Sequence, residues 1–526
     1  MKFKHLLMML MIGISLTLSA QDASFYKKYA EKGDKEAMYN LAKCYENGSD
    51  EVMQNATQAA YWYEKSAKKN YAPAQVALAI CYITGNGVIR DEKKAWELAQ
   101  KAAKQNDADA YVVLAMMCDE GIYVSKSKYL WLQNIQKAAT LGSAYAQSKL
   151  GSAYFFGNSE AGITADEKKG IALLTAAAEK DEDEALLFLG LLKKASASTE
   201  EENREAMEYF VRSANNGNQY AQCEVGEAYL KGDILPQNYD EAHKYINAAL
   251  AQDSGRANGL AGDVYLYGLG VDADAETAAS YYKVAIEKEY IPAYNDLARL
   301  YYDGNGVPKD DAKCFQLFKA AADQDNEDAI FYVGACYDGG VGVSPNSVTA
   351  LRYFKRAADL GNNRAQYNVY RMYSDGKVTM NVQEAIKYLR MAADDNFPDA
   401  LWSLGVEYYN GEMVHKELSK AREYMIKSAD SGYAYACGVV GSSYYTGEDL
   451  FPKDYEKAFQ YLNASLRDIN SIPEELQADI YKYLGACYRF GRGTSVDHSM
   501  ASYYTERAAE LGDTGSTNAV QMLRRF

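Results

Sequence analysis

One arrangement of residues recurs along this chain about every 36 positions, and a period of that length restricts the fold to a stacked array of small units. Each occurrence starts at a marker alanine. An apolar residue follows four positions later, a small residue five later, tyrosine eight later and glycine eleven later. The stretch Ala293-Tyr294-Asn295-Asp296-Leu297-Ala298-Arg299-Leu300-Tyr301-Tyr302-Asp303-Gly304 shows the whole pattern. The marker stands at Ala37, Ala74, Ala110, Ala146, Ala185, Ala221, Ala257, Ala293, Ala329, Ala365, Ala400 and Ala436, and Ile480 and Ser516 then take the position. Nine of the thirteen intervals are 36 residues, which leaves chance aside.

Each period holds two amphipathic helices. In the first, the marker, the apolar residue and the tyrosine fall on one face at helical spacing. The small residue, as in Gly151, Gly226, Gly262, Gly334, Gly405 and Gly441, lets a neighbouring helix come close. The later glycine, as in Gly85, Gly157, Gly232, Gly304 and Gly411, suits a left-handed helix C-terminus. A loop often of the form Gly-x-Gly-Val follows, as in Gly304-Asn305-Gly306-Val307. Aspartate near the next helix, as at Asp310, suits its N-terminus. The second helix is read from Ala350-Leu351-Arg352-Tyr353-Phe354-Lys355-Arg356-Ala357-Ala358 and its equivalents. A chain with only 8 prolines in 526 residues is compatible with helix almost throughout. One such hairpin cannot bury its apolar face, so the units must stack into a quasi-one-dimensional array.

The units resemble Sel-one-like repeats, relatives of the tetratricopeptide repeats. The shared motif is A-x-x-x-L-G-x-x-Y-x-x-G-x-G-V followed by K-A-x-x-x-x-x-K-A-A-x-x-G. The resemblance covers residues 22–526 and implies an all-α fold: an α-α superhelical solenoid of about thirteen two-helix repeats, with the first helices lining a concave face. It also implies an adaptor or scaffold role in a multiprotein complex. Residues 23–33 match a second helix, and residues 516–526 match a first helix, so the array is expected to fill residues 21–526 and leave no room for a separate catalytic domain. Two departures are expected to alter turns. The unit over about 185–216 lacks the tyrosine and the loop glycine. The interval from Ala436 to Ile480 is 44 residues, with extra sequence at about 466–479.

The first twenty residues read as a secretory signal peptide. Lys2 and Lys4 precede an apolar stretch from Leu6 to Leu18, and Leu18-Ser19-Ala20 offers a cleavage point before Gln21. The alternative, a membrane anchor, meets a stretch too short to span a bilayer comfortably. No cysteine follows it, so a lipoprotein signal is not supported. The expectation is a periplasmic or secreted protein without stable membrane insertion. The net charge of −16 and the lack of any basic run disfavour nucleic acid as a partner.

Catalysis should leave a constellation of residues. The four histidines, His5, His243, His415 and His498, have no metal-ligand spacing, and no phosphate-binding loop is present. No metal or other cofactor is expected, and the chain reads as a non-enzyme. Some Sel-one-like proteins are linked to penicillin binding or β-lactamase activity. Such an enzyme needs Ser-x-x-Lys with Ser-Asp-Asn and Lys-Thr-Gly. Ser66-Ala67-Lys68-Lys69 and Ser125-Lys126-Ser127-Lys128 match only the first element. Seven of the eight cysteines lie in first helices, where they should be buried small side chains and mostly thiols despite export. Eleven of the 47 tyrosines occupy the repeat position, and a second set, including Tyr63, Tyr209, Tyr245, Tyr353, Tyr388, Tyr424, Tyr461 and Tyr504, occupies the second helix. These read as core.

By analogy with tetratricopeptide geometry, residues two, six and nine after the marker should face the concave surface. Those columns hold Arg299, Tyr302, Phe331, Tyr367, Arg371, Trp402, Tyr409 and Tyr445, while earlier units hold Ser148, Ser152 and Asp263. Aromatic and arginine side chains are favoured anchors of binding surfaces. The expected partner is a protein in an envelope or secreted complex. A glycan or cell-wall fragment is the alternative, through stacking and bidentate hydrogen bonds.

Overall fold

The computed structural model describes residues 23–48, 52–447 and 450–512. The expected signal segment and the last expected helix at 516–526 lie outside them. Twenty-seven α-helices are present among the described residues, and no extended strand. After Ala23–Ala30 they form thirteen successive pairs, from Lys35–Asn47 with Ala56–Lys68 to Glu474–Phe490 with His498–Glu510. The chain divides into two compact units, Met1–Leu260 and Ala261–Phe526.

Most of these helices are about 13 residues long, and helices this short are marginal alone in water. Their ends are therefore capped and their faces stacked. Asp34, Asn55, Asp91, Asp107, Asp310 and Asn346 each accept a hydrogen bond from a backbone N–H in the first turn of the helix they precede. Gly85, Gly232, Gly304, Gly340, Gly411 and Gly491 close first helices in the left-handed conformation. Within each unit, second helices pack on their own first helix and on the first helix of the next pair, so the buried side chains follow one another along the array as a series of apolar clusters.

Within a pair the small residue sets the separation. A methyl group added at Gly262 would lie 2.4 Å from the Tyr282 ring, and one at Gly334 would lie 2.8 Å from Phe354. In one pair both helices use glycine, and Gly151 and Gly170 face each other's backbone at about van der Waals contact: an added methyl on either would lie 3.0 or 2.8 Å from the other's carbonyl oxygen.

The two tyrosine columns turn out to be one device. The first-helix tyrosine stacks nearly parallel on the second-helix tyrosine in Tyr229–Tyr245, Tyr337–Tyr353, Tyr408–Tyr424, Tyr444–Tyr461 and Tyr488–Tyr504, with ring centroids 5.7–6.2 Å apart. The second ring's hydroxyl then donates to the last residue of the preceding second helix. Tyr245 donates to Asn215, Tyr388 to Asp359 and Tyr461 to Asp430, at 2.7–3.0 Å. Tyr63 departs from this set. It falls one residue later, in the column of Phe210, Tyr282 and Phe354, where the ring is fully buried.

The irregular unit keeps its helix pair, Asp183–Ser196 and Glu200–Asn215, but the connection shrinks to residues 197–199. Thr199 and Glu202 form a reciprocal capping box there. The longer interval holds a 3-10 turn, Leu466–Ser471, and a first helix lengthened to 17 residues, Glu474–Phe490. All eight cysteines stand as thiols, seven of them buried and Cys44 half-buried.

The second glycine of the Gly-x-Gly-Val loop has its own purpose. Gly306 lies against the start of the preceding second helix, so that a methyl group there would sit 2.2 Å from the Ala275 carbonyl. Gly376 shares the left-handed backbone, with φ of 69°, but has open space around it. Gly376→Ala should therefore cost only the left-handed penalty of about 1–2 kcal/mol. Gly306→Ala should cost clearly more, because backbone must move. Urea midpoints of the two variants check the order, and equal shifts would contradict the contact.

Candidate functional site

In the unit Ala261–Phe526, packing on both flanks leaves one stripe of each first helix uncovered. It passes through the residue before the marker and the residues three, six and ten after it, steps of four, three and four that lie along one helical face. In the unit Ala261–Phe526 that stripe includes Asp296, Arg299, Asp328, Tyr332, Arg364, Arg371, Asp375, Asp399 and Ser403, all half-buried or exposed. The column two after the marker instead turns inward. Asn295, Phe331 and Gly438 are buried there, and Tyr367 and Trp402 are half-buried.

Two of the eight residues singled out from the sequence meet through residues that were not. Arg299 donates from Nη2 to the Tyr332 hydroxyl at 2.7 Å, and its guanidinium lies 5.2 Å from that ring's centre. From the other side, Arg364 donates to the same hydroxyl at 3.4 Å and lies 4.5 Å over Phe331. Tyr332 itself stacks on Phe318 at 4.7 Å. The centre of this cluster is thus Tyr332, held between two arginines. Phe331 is only 5% exposed and supports the cluster from beneath, contrary to its expected place on the surface. The signal for Tyr332 and Arg364 lay in their own columns, three after Ala329 and one before Ala365.

The other predicted residues are held locally. Tyr367 shares a 3.1 Å hydrogen bond with Ser403 and packs on Phe397. Trp402 meets Tyr435 edge to face at 5.4 Å. Arg371 pairs with Asp375 one turn on, at 3.1 Å. Tyr302 and Tyr409 are nearly half exposed, each beneath a lysine ammonium, from Lys309 and Lys416. Tyr445 accepts a 2.5 Å hydrogen bond from Arg492 and stacks on Tyr483. Tyr302, Tyr409 and Tyr445 share no ring contact or hydrogen bond with the other five among the described residues. The surface therefore offers planar cations and rings already fixed in position, a poor device for chemistry and a good one for recognition.

Among the described residues, Ser66 and Lys128 of the two Ser-x-x-Lys matches are held by structural contacts. Ser66 is fully buried and donates its hydroxyl to the Lys35 carbonyl at 2.6 Å. Lys128 pairs with Asp119. Among the described residues no three His, Cys, Asp or Glu side chains come together as metal ligands, and no helix is long and apolar enough to cross a membrane.

Asp296 gives this surface a pH response. Burial pushes its carboxyl up to about 6, Asp263 and Asp328 add to the rise, and Arg299 opposes it. A carboxyl whose folded pKa exceeds its unfolded value of about 4 binds its proton more tightly in the folded state, so its ionisation destabilises the fold as pH climbs from about 4 through 6. Asp296→Asn should therefore raise the thermal midpoint at pH 7.5 and change it much less at pH 4.5. Melting curves at the two pH values check this, and an equal effect at both would contradict it.

The Sel1 repeat family matches residues 35–71, 72–107, 144–182, 183–218, 219–254, 257–290, 291–326, 327–362, 363–397, 398–433, 434–467 and 481–513. The structure adds a pair of the same kind at Ala108–Glu120 and Lys128–Thr140. Among solved structures, the chain is similar to a protective antigen of uropathogenic Escherichia coli strains that displays an SLR fold. The two are 24% identical over 93% of this chain and 96% of that one, with a TM-score of 0.51. A Sel1 repeat protein from Oxalobacter formigenes is 23% identical over 65% of this chain and 94% of its own, with a TM-score of 0.44. No curated protein matches the sequence. With twelve matched segments spread over most of its length, and helix pairs throughout the described residues, the chain belongs to the Sel1 repeat family.

Proposed function

We propose that this protein is an exported scaffold that binds another protein through the uncovered face of its first helices, as part of an envelope or secreted assembly. Sel1 repeat proteins generally mediate protein–protein interactions. The observation that carries the reading here is the set of arginine and aromatic side chains on and beside that face in the unit Ala261–Phe526, from the Arg299–Tyr332–Arg364 cluster to Arg371, with the half-buried Tyr367 and Trp402 at its edge. Such side chains dominate protein-binding hot spots when they are held rigid before the partner arrives. Export rests on the basic and apolar pattern of residues 1–20.

Both halves are testable. The Arg371→Ala, Trp402→Ala double variant should keep its helical circular dichroism and lose at least tenfold in affinity for the protein captured from native envelope extract by the unaltered chain, the scale expected for hot-spot truncation. Unchanged capture, or binding only to glycan, would sink the scaffold reading. When the full chain is expressed in a bacterial host, mass spectrometry of the mature protein should find Gln21 at its N-terminus. A cytoplasmic product that retains Met1 through Ala20 would overturn the export half.

A further inference from the structure

In the unit Met1–Leu260 the first helices enclose a cavity of about 210 Å³, lined in part by buried side chains. It lies across the first helices of three successive pairs. Tyr39, Lys43 and Glu46 come from the first, apolar side chains from Ala72–Thr84 line one wall, and Asp107 and Asp109 stand at the start of the third. Small-molecule sites run from about 300 to 1,000 Å³, so this cavity is sized for a single long side chain.

Its polar groups are unequally satisfied. Glu46 accepts from the Tyr63 hydroxyl at 2.7 Å through Oε2, while Oε1 is buried with no hydrogen-bond partner. Asp107 accepts from the Ala110 amide at 2.9 Å. Asp109 has neither a hydrogen bond nor an ion pair among the described residues. A buried acceptor without a donor is costly, and native proteins keep few of them. The charges are also unequal. Three carboxylates line the cavity against one ammonium, that of Lys43, which is buried and lies 5.6 Å from the Tyr39 ring centre. Lys35, beyond the lining, lies over Tyr71, and Glu36 and Asp34 are near that ring as well. Burial pushes Asp109 up to about 6, and Asp107 adds to the rise; burial also pushes Glu46 up. In both the first cause is burial of the charged form, which a cation brought into the cavity would offset.

From the room, the unpartnered acceptors that the first and third of these helices supply and the surplus of carboxylates, we infer that this cavity receives a lysine or arginine side chain of a polypeptide partner. The incoming head group brings three to five N–H donors and a full positive charge to Glu46 and Asp109. Its methylene stem lies along the Tyr39 ring and the apolar wall. The inference rests on the scaffold reading for its source of ligand, and it adds the chemistry of what that partner presents.

The test uses the full chain at low salt with capped tripeptides, Ala-Lys-Ala and Ala-Arg-Ala, read by ligand-observed NMR. The capped tripeptide with norleucine at its centre and the free diamine cadaverine are the comparisons. The basic tripeptides should bind at least tenfold more tightly than either comparison. The Glu46→Gln, Asp109→Asn variant should remove that preference. Since neither carboxylate has an ion pair to lose through these oxygens, and both are held above their unfolded values, the variant should melt no lower than the unaltered chain at neutral pH, and Lys43→Met offers a second reading, with tighter binding expected once the resident ammonium is gone. Equal binding of norleucine would make the cavity merely apolar, and equal binding of cadaverine would make it a site for small amines. Either result overturns the inference, as does a preference that survives in the double variant. Failure of the scaffold reading is seen separately, in envelope capture by the unaltered chain, and leaves these tripeptide affinities unmoved.

Discussion

The distance between the two helices of a pair governs the rest of this molecule. It is set where the small residue of the first helix meets the large side chain of the second, as at Gly262 against Tyr282 or Gly334 against Phe354. Because those faces touch, the tyrosines three positions further along the first helix arrive at stacking distance from the second helix, and the second-helix hydroxyls reach the end of the helix before. A contact inside one pair is thereby carried to its neighbour. This is how helices of about 13 residues, marginal alone, become a cooperative array. The Gly-x-Gly loop repeats the principle at the other end of the pair, where Gly306 touches the carbonyl of Ala275 and ties one turn to the preceding helix.

Much of this is legible in the sequence because close contacts tolerate few residue types. The marker alanines, which are almost all fully buried, the cap-forming Asp and Asn residues and the loop glycines each answer a steric or hydrogen-bonding demand that recurs in every unit. The helix pairs follow from them directly. The uncovered face is less legible, because its residues answer no repeated demand. Its phase depends on how far the first helix is rotated against its two neighbours, and one residue changes that by about 100°. Borrowing the phase from a related repeat puts Phe331 outside when it is inside, and passes over Tyr332 and Arg364. The same slip of one residue puts Tyr63 in the wrong column.

The cavity in the first unit is illegible for a different reason. Tyr39 and Glu46 lie in one repeat, the apolar wall in the next and Asp109 in the one after, and none departs from what a repeat helix ordinarily carries. Only stacking puts them around one space. Repeats that are alike in their buried columns thus differ where they are open. Function in such an array resides in the differences between units rather than in the motif that defines them.

The two units differ in how their polar groups stand before any partner arrives. On the second, Arg299 and Arg364 are already hydrogen-bonded to Tyr332, and Arg371 to Asp375. A partner there gains from rings and guanidinium groups whose positions are settled, and loses little entropy in ordering them. In the first unit, Glu46 Oε1 and Asp109 are acceptors in want of a donor, so a fitting cation removes a standing desolvation cost as well as adding a contact. The first arrangement favours a broad, shape-matched surface. The second discriminates by charge, because an uncharged side chain of the same size leaves the cost in place. Under the proposed reading, each unit recognises by its own means, the second by settled shape and the first by charge, and specificity comes from the difference.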